Sequence, residues 1–179
     1  MPKFRSRKRT PTLLQMEAVE CGAAALGMIL SYYRRIVPLT ELRQRCGVSR
    51  DGSKASNVVK AARQYGLHAK GFSKSVEAAR ELACPYIAFW DFNHFLVVEG
   101  FGKNAAYLND PAVGHRKVTA EEFDAGFTGV VLMMEPGPDF ERGGRESSVW
   151  RGLFRRLHGN FSALALIALS GLLMVIPGL

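Results

Sequence analysis

The sequence predicts an α+β fold, because its apolar residues follow a helical period in the first half of the chain and a strand period in the second. Between residues 24 and 33, apolar side chains recur three and four positions apart, which places them on one buried helix face. After residue 66 they fall into short runs bounded mostly by Gly, Asn, Asp or Pro. We therefore expect N-terminal helices packed on an antiparallel β-sheet.

Four helices are predicted. Pro38 separates the first helix from the second, and Gly66 ends the third, because neither residue type continues a helix readily. The fourth helix is shorter and lies between two predicted strands. The predicted ranges are Gln15–Arg35, Leu39–Gly47, Ser53–Tyr65 and Val76–Leu82.

Six short strands are predicted beyond the third helix. Gly102–Asn104 is interpreted as a hairpin turn between two of them, and Glu121–Ala125 as a single helical turn between the last two. The predicted strand ranges are Leu67–Phe72, Tyr86–Trp90, Phe95–Phe101, Ala105–Leu108, Arg116–Val118 and Val130–Met134.

The formal net charge of +8 lies at the two ends of the 179-residue chain and not across its globular part. Residues 1–9 hold five Lys or Arg and no acid, and residues 142–158 hold five Arg against one Glu. Residues 10–141 hold fourteen Lys or Arg against fifteen Asp or Glu, a net charge of −1. Because a nucleic-acid-binding domain carries a basic stripe on its own fold, nucleic acid is not an expected partner.

The chain is predicted to have five segments, the last of which enters a membrane. Phe161–Leu179 carries no Asp, Glu, Lys or Arg, and about 20 apolar residues span a bilayer core. A buried core helix is the alternative. The arginines of residues 151–156 predict that this side is cytoplasmic. The predicted segments are a basic flexible arm (1–11), a globular domain (12–136), a linker (137–149), a basic juxtamembrane segment (150–158) and the start of a first, truncated transmembrane helix (159–179).

Three cysteines make an odd count in a chain without a recognisable signal peptide. We therefore expect a reducing, cytosolic environment and free thiols. No Cys-x-x-Cys or clustered Cys/His spacing indicates a zinc site.

The sequence Gln15-Met-Glu-Ala-Val-Glu-Cys21-Gly22 is the first candidate catalytic motif. A cysteine at a helix N-terminus lies at the positive end of the helix dipole, which favours the thiolate. Gln15 is placed to donate its side-chain amide to a developing oxyanion, with the N–H of Cys21 as the second donor. A buried packing residue is the alternative for Cys21.

His94 and Asp110 supply the base and the orienting acid that such a nucleophile needs. His94 opens an apolar strand, where it can take the proton of Cys21 and later protonate a leaving amine. If the strands on either side of Gly102–Asn104 pair as a hairpin, Asp110 lies at the same end as His94 and orients its imidazole. An ordinary turn residue before proline is the alternative for Asp110.

The order Gln, Cys, His, Asp, with Cys on a helix and the last two on a sheet, is similar to that of papain-like peptidases. A finer match, over about residues 12–135, resembles the N-terminal peptidase domain of bacteriocin-processing ABC transporters. Many members have Asp before the cysteine, where this chain has Glu20. The matching motifs are Gln15-x4-Glu20-Cys21-Gly22, His94-Phe-Leu-Val-Val-x-Gly100 and Asp110-Pro111-Ala112-x-Gly114.

This resemblance implies a papain-like cysteine peptidase that removes the leader of an exported peptide precursor after a double-glycine motif. It implies Cys21 as nucleophile, His94 as base, Asp110 as orienting acid and Gln15 as oxyanion donor. It also implies a transporter that is a homodimer at full length, in the bacterial inner membrane with its peptidase domain on the cytoplasmic side. No cofactor is expected for this chain, because ATP belongs to the absent ATPase part and the sequence has no Gly-x4-Gly-Lys-Ser/Thr motif.

Two other functions stay open at this point. The first is a leader-binding module that does not cleave, although such modules lack the cysteine that stands here. The second is a transglutaminase-like acyl-transfer enzyme with the same triad, whose products contain new amide links.

The other candidate residues are given structural interpretations. Cys46 and Cys84 are predicted to be core thiols, and His68 and His115 to be surface residues without a partner. His158 falls in the basic juxtamembrane segment. Three aromatic residues near the predicted histidine base are interpreted either as core or as the wall of a groove for a leader helix; they are Phe89, Trp90 and Phe92.

Overall fold

The computed structural model describes residues 7–144, 157 and 160–175. The chain divides into two compact units, residues 1–145 and residues 146–179. Over residues 7–144 the first unit contains five α-helices and six β-strands, and its helices are α1 (Cys21–Tyr32), α2 (Leu39–Arg45), α3 (Ala55–Gln64), α4 (Val76–Arg80) and α5 (Ala120–Gly126).

The strands of the first unit form one antiparallel sheet with the order β1-β6-β2-β3-β4-β5. The last strand therefore lies between β1 and β2, and the remaining neighbours are consecutive in sequence. The predicted hairpin is present, with Gly102 N–H donating to the carbonyl of Ala105 at 2.7 Å. The strand bounds are β1 (Leu67–Ser73), β2 (Tyr86–Trp90), β3 (His94–Phe101), β4 (Ala105–Asp110), β5 (Gly114–Thr119) and β6 (Phe127–Pro136).

Helices cover both faces of this sheet, which explains why its central strands carry apolar side chains on both faces. Along β3, Phe95 and Val97 pack into the core that includes α1 and α3, whereas Leu96 and Val98 pack into the core that includes Phe123 of α5. Successive side chains of a strand point to opposite faces, so a strand buried on both faces has no polar alternation. The predicted α+β class with an antiparallel sheet is confirmed.

The first helix begins six residues later than the apolar pattern predicts. A short 3-10 turn, Ala18–Glu20, precedes α1 at Cys21. The carboxylate of Glu20 accepts hydrogen bonds from the backbone N–H groups of Met16 (2.8 Å) and Glu17 (3.2 Å). Because a side chain that binds nearby backbone donors competes with helix formation, residues 15–17 stay irregular. The helix start predicted at Gln15 is therefore wrong, whereas the predicted position of Cys21 at a helix N-terminus is confirmed.

The N-terminal segment is held against the sheet from residue 7 onwards, in contrast to the flexible arm expected over residues 1–11. Arg7 donates to the buried Glu99 of β3 at 2.7 Å, and Thr10 donates to it through both its backbone N–H and its hydroxyl. Thr10 is only 2% exposed. Because a buried carboxylate requires donors, Glu99 fixes a segment whose own composition indicates no structure. Residues 1–6 lie outside the described residues.

The first unit also extends beyond the predicted boundary at residue 136. Phe140 packs edge-on against Tyr33 with ring centroids 6.1 Å apart. The backbone N–H of Ile36 donates to the carbonyl of Gly143 at 2.7 Å. The part of the expected linker that the structure describes, residues 137–144, is thus attached to the domain.

The second unit contains helix α6, Phe161–Val175. This helix has 15 residues, and in the described part of the chain no helix is both long enough and apolar enough to cross a membrane. The transmembrane helix predicted over residues 159–179 is therefore not supported. Most of the predicted juxtamembrane segment, including His158, lies outside the described residues.

Candidate active site

Cys21 is the first residue of α1 and is nearly buried. It lines a cleft of about 660 Å³ that is formed between the start of α1, the β2–β3 turn and the end of β4. The other three predicted site residues, Gln15, His94 and Asp110, line the same cleft. Residues that are up to 95 positions apart in sequence are thus brought together by packing of α1 on the sheet.

His94 lies between the other two members of the predicted triad. Its Nε2 donates a hydrogen bond to Asp110 Oδ1 at 2.7 Å, and its side chain also hydrogen-bonds Cys21. The imidazole is 18% exposed and the carboxylate 6% exposed. Since a carboxylate only accepts, the hydrogen bond to Asp110 fixes a proton on Nε2 and leaves Nδ1 as the ring nitrogen open to another partner.

The position of Asp110 follows from the β3–β4 hairpin. Val97 of β3 pairs with Asn109 of β4, so the end of β4 returns to the end of the sheet where β3 begins. Asp110 Oδ1 also accepts from the backbone N–H of Ala112 at 2.9 Å, and its Oδ2 lies 3.1 Å from Arg116 Nη2. Every carboxylate oxygen therefore has a donor, which holds the acceptor for His94 in one orientation.

The pKa of His94 is raised from 6.5 to about 9. Burial opposes the charged imidazolium and lowers this pKa, but hydrogen bonds to Asp110 and Cys21, with charge interactions from both, outweigh burial. The pKa of Asp110 is lowered; burial acts against this, and the hydrogen bond from His94, the Ala112 N–H and nearby positive charges prevail. A protonated His94 beside an ionised Asp110 is thus the stable state at neutral pH.

Gln15 is attached to the same end of the sheet by its backbone, because its N–H donates to the carbonyl of Pro111 at 2.9 Å. Its side-chain Oε1 is buried and has no hydrogen-bond partner in the structure. An amide that lines the cleft with an unused polar atom is suited to a polar ligand group, since burial without a partner is unfavourable.

Two charged residues beside the site were not singled out as site residues from sequence. Arg43 of α2 forms an ion pair with Glu20 (Nε–Oε1, 2.9 Å), directly before Cys21. Arg116 of β5 contacts Asp110 and lies with its guanidinium carbon 5.4 Å from the centre of the Trp90 ring. Neither arginine belongs to a local motif, and only pairing between distant elements brings Arg116 to the cleft and Arg43 to the residue before Cys21.

The structural interpretations of the remaining candidates have mixed outcomes. Cys46 is fully buried, and burial raises its pKa to about 12, as befits a core thiol. Cys84 is half-buried at the edge of the core on the α5 side of the sheet. His68 is exposed as predicted. The prediction for His115 is wrong, because its Nδ1 lies 3.3 Å from the buried Glu99 and its Nε2 accepts from Arg9.

All three aromatic residues line the cleft, and two of them also pack into a core. Trp90 is buried with its ring tilted against that of Phe123, and Phe89 is half-buried against Phe95. Phe92 is 79% exposed and lines the cleft. Among the residues that the structure describes, no group of three or more His, Cys, Asp or Glu side chains has an arrangement that could hold a metal ion.

Comparison with known proteins agrees with this geometry. Residues 9–139 match the Peptidase C39 family. The chain is 33% identical over 165 residues to the colicin V secretion/processing ATP-binding protein CvaB of Escherichia coli, which covers 92% of this chain and 24% of that protein. It is 34% identical over 137 residues to the probable microcin-H47 secretion/processing ATP-binding protein MchF of Escherichia coli, covering 76% of this chain and 20% of that protein. The chain thus spans about a quarter or less of these relatives.

Solved structures show the same likeness. A double glycine motif protease from an AMS/PCAT transporter, in complex with the leader peptide, is 53% identical with a TM-score of 0.72, covering 74% of this chain and 95% of that chain. The peptidase domain of Streptococcus ComA has the same fold, with a TM-score of 0.66 at 22% identity, covering 72% of this chain and 98% of that one. By the extent of the family match and by these relatives, the chain belongs to the Peptidase C39 family.

Proposed function

We propose that this chain is the leader-cleaving cysteine peptidase domain of a peptide-exporting ABC transporter, and that it cuts its precursor after a double-glycine motif. The observation that carries the proposal is the linked set of Cys21, His94 and Asp110 in one cleft, with Gln15 beside them. The 53% identical double glycine motif protease, solved in complex with the leader peptide, supports the substrate class.

The first chemical step is attack of the Cys21 sulfur on the carbonyl carbon of the scissile bond. His94 takes the proton of the attacking thiol, and its raised pKa favours the imidazolium at neutral pH. As the sulfur–carbon bond forms, the carbonyl oxygen becomes an oxyanion. The side-chain NH₂ of Gln15 and the backbone N–H of Cys21 are the proposed donors to that oxygen.

The second step breaks the carbon–nitrogen bond and releases the mature peptide. His94 transfers its proton to the leaving amine, so that the leader remains as a thioester on Cys21. Water then attacks the thioester and gives its proton to His94, and the leader leaves with a free carboxyl terminus. Asp110 stays ionised throughout and stabilises the imidazolium, because its pKa is held below the usual value.

The wider setting is part of the same proposal. The chain matches only a part of each transporter-like relative, so the transmembrane and ATPase parts are expected elsewhere, in a full-length homodimer. The peptidase domain then faces the cytoplasm at the bacterial inner membrane. This chain requires no cofactor, because the proposed chemistry uses only its own side chains and water.

Mass spectrometry of a precursor peptide tests the proposal. The full chain is incubated with a peptide whose leader ends in Gly-Gly. A Cys21→Ala variant is assayed in parallel, together with a Cys84→Ala control that removes a thiol beside the core on the α5 side of the sheet. We expect cleavage after the second Gly with the native chain and the control, and none with Cys21→Ala. Peptide that binds but stays intact would indicate a binding module, and crosslinked products would indicate acyl transfer.

A further inference from the structure

The β2–β3 turn has an unusual residue at its second central position. Asn93 N–H donates to the carbonyl of Trp90 at 3.1 Å, which closes a turn over Asp91 and Phe92. Both central residues have positive φ, +45° at Asp91 and +56° at Phe92. A turn whose two central residues both have positive φ prefers Gly, Asn or Asp at those positions. Asp91 fits that preference, whereas Phe92 stands where glycine would be most stable.

The left-handed backbone of Phe92 is unfavourable in itself. An L-residue with a Cβ atom is crowded by the following carbonyl oxygen in this region, and bulky residues there are outliers. Packing in the core would offset this strain, as it does for many aromatic residues. Phe92 has no such compensation, because its side chain is 79% exposed while Trp90, two residues earlier, is buried.

The turn is fixed in place beside the reacting groups. Asp91 N–H donates to the carbonyl of Gly126 at the end of α5, with a distance of 2.9 Å. His94 follows Phe92 by two residues, and both line the cleft that contains Cys21. The strained backbone thus presents an exposed ring at the edge of the site on a rigid support. Unfavourable backbone conformations persist at positions where function requires them.

We propose that Phe92 is a substrate-binding residue whose ring contacts an apolar side chain of the peptide close to the scissile bond. This inference rests on the proposed peptidase function and names one residue that sets its specificity. The apolar contact removes the ring from water, and the fixed turn means that little conformational freedom is lost on binding.

The experiment measures peptide binding and cleavage together with stability. Binding of a leader-bearing peptide is measured in the inactive Cys21→Ala chain, with and without Phe92→Gly, and kcat/KM is measured for Phe92→Gly in the active chain. Phe92→Tyr keeps an aromatic ring. Arg34→Gly is the matched control, because Arg34 is also left-handed (φ +68°) but does not line the cleft.

We expect Phe92→Gly to weaken binding and to lower kcat/KM by about tenfold, the effect of losing one well-buried apolar contact. Arg34→Gly is expected to stay within about twofold of the parent, as substitutions without lost contacts do. Phe92→Tyr, which keeps the ring, is expected to lose less binding than Phe92→Gly. Both glycine variants are expected to unfold at the same or a higher temperature, because strain is relieved. Changing the apolar peptide residue nearest the cut to Ser is expected to weaken binding to the parent chain more than it weakens binding to the Phe92→Gly variant.

Three outcomes overturn the inference. Binding by Phe92→Gly within about twofold of the parent shows that the ring makes no contact of importance. A lowered unfolding temperature for Phe92→Gly shows that the ring supports the fold instead. A parent chain that binds no peptide overturns both proposals, whereas a parent that binds peptide through Phe92 without cleaving it overturns only the peptidase function.

Discussion

Two buried carboxylates, Glu20 on the helix side of the site and Asp110 on the sheet side, are built into different surroundings. Both interact with an arginine, Glu20 with Arg43 and Asp110 with Arg116. The remaining partners of Glu20 are the backbone N–H groups of residues 16 and 17, which do not titrate. Asp110 instead receives a hydrogen bond from His94, which does titrate.

Because their partners differ, the two carboxylates have different structural roles. Glu20 fixes the irregular segment between Gln15 and Cys21, so it determines where the proposed oxyanion donor and the proposed nucleophile lie. Asp110 determines the orientation and protonation of His94, the proposed base. Substitutions at the two positions are therefore expected to have different effects. A substitution of Asp110 is expected mainly to lower activity, and a substitution of Glu20 mainly to lower stability.

The largest expected effect is the loss of activity in Asp110→Asn. The amide cannot stabilise the imidazolium as a carboxylate does, so kcat/KM is expected to fall by about a hundredfold or more, the size of a general acid–base contribution. The alkaline limb of the pH–rate profile, set by His94 with its pKa of about 9, is expected to move to lower pH. Steady-state cleavage across pH measures both changes.

An Asp124→Asn variant is the control for this prediction, because Asp124 is exposed on α5. It is expected to cleave at the parent rate. An Asp110→Asn chain that retained both the rate and the alkaline limb would show that this carboxylate does not act on His94.

The second prediction concerns the free energy of unfolding of Glu20→Ala. Glu20 is buried but Arg43 is 39% exposed, so removing Glu20 leaves an arginine that water can solvate. The N–H groups of residues 16 and 17 lose their acceptor, and the cost is expected to be about 1–3 kcal/mol. Glu17 faces the same arginine at 3.6 Å but is 60% exposed, so Glu17→Ala is expected to cost about 1 kcal/mol or less. If urea unfolding showed equal losses of unfolding free energy for Glu20→Ala and Glu17→Ala, burial of Glu20 would not be the source of its stabilisation.

The third prediction is that stability depends on pH because His94 titrates. Because its pKa is raised from 6.5 to about 9, the stabilisation is complete below pH 6.5 and is lost as the pH rises through about 9. The lowered pKa of Asp110 adds stabilisation that is present above its ordinary value of 3.8 and lost as the pH falls below it.

Urea unfolding of the parent and of His94→Gln, from about pH 6 to about pH 9.5, measures this contribution. The difference in unfolding free energy between the two chains is expected to shrink as the pH rises. A difference that stays constant over this range would exclude a charged His94 as its source.

The smallest expected effect is that of Arg116→Gln. Its ion pair with Asp110 is 35% exposed on the arginine side, so the loss of stability is expected to be about 1 kcal/mol or less. Without this competing cation Asp110 acts more strongly on His94, and the alkaline limb is expected to move slightly to higher pH. A shift in the same direction as that of Asp110→Asn would contradict this account.

Local patterns predicted most elements of the fold because each pattern depends on neighbouring residues. β2, Tyr86–Trp90, has the bounds that its apolar run predicts, and α2 and α3 begin within two residues of the predicted positions. The start of α1 was missed because the side chain of Glu20 competes with the helix for backbone donors. The order of the sheet was not predicted either, since nothing in the sequence of β6 places it between β1 and β2.

The sequence by itself determined the helix and strand periods and the four predicted site residues, because residue type and order in the chain carry that information. Only the tertiary structure decided which charges meet: Glu20 with Arg43, Asp110 with Arg116, and Glu99 with the N-terminal segment. Such pairs form between elements far apart in sequence, and a charged residue has the same local signature whether it lies in water or opposite a buried partner. The exposed ring of Phe92 in a left-handed turn is likewise visible only in three dimensions, because strain and exposure are properties of the folded chain.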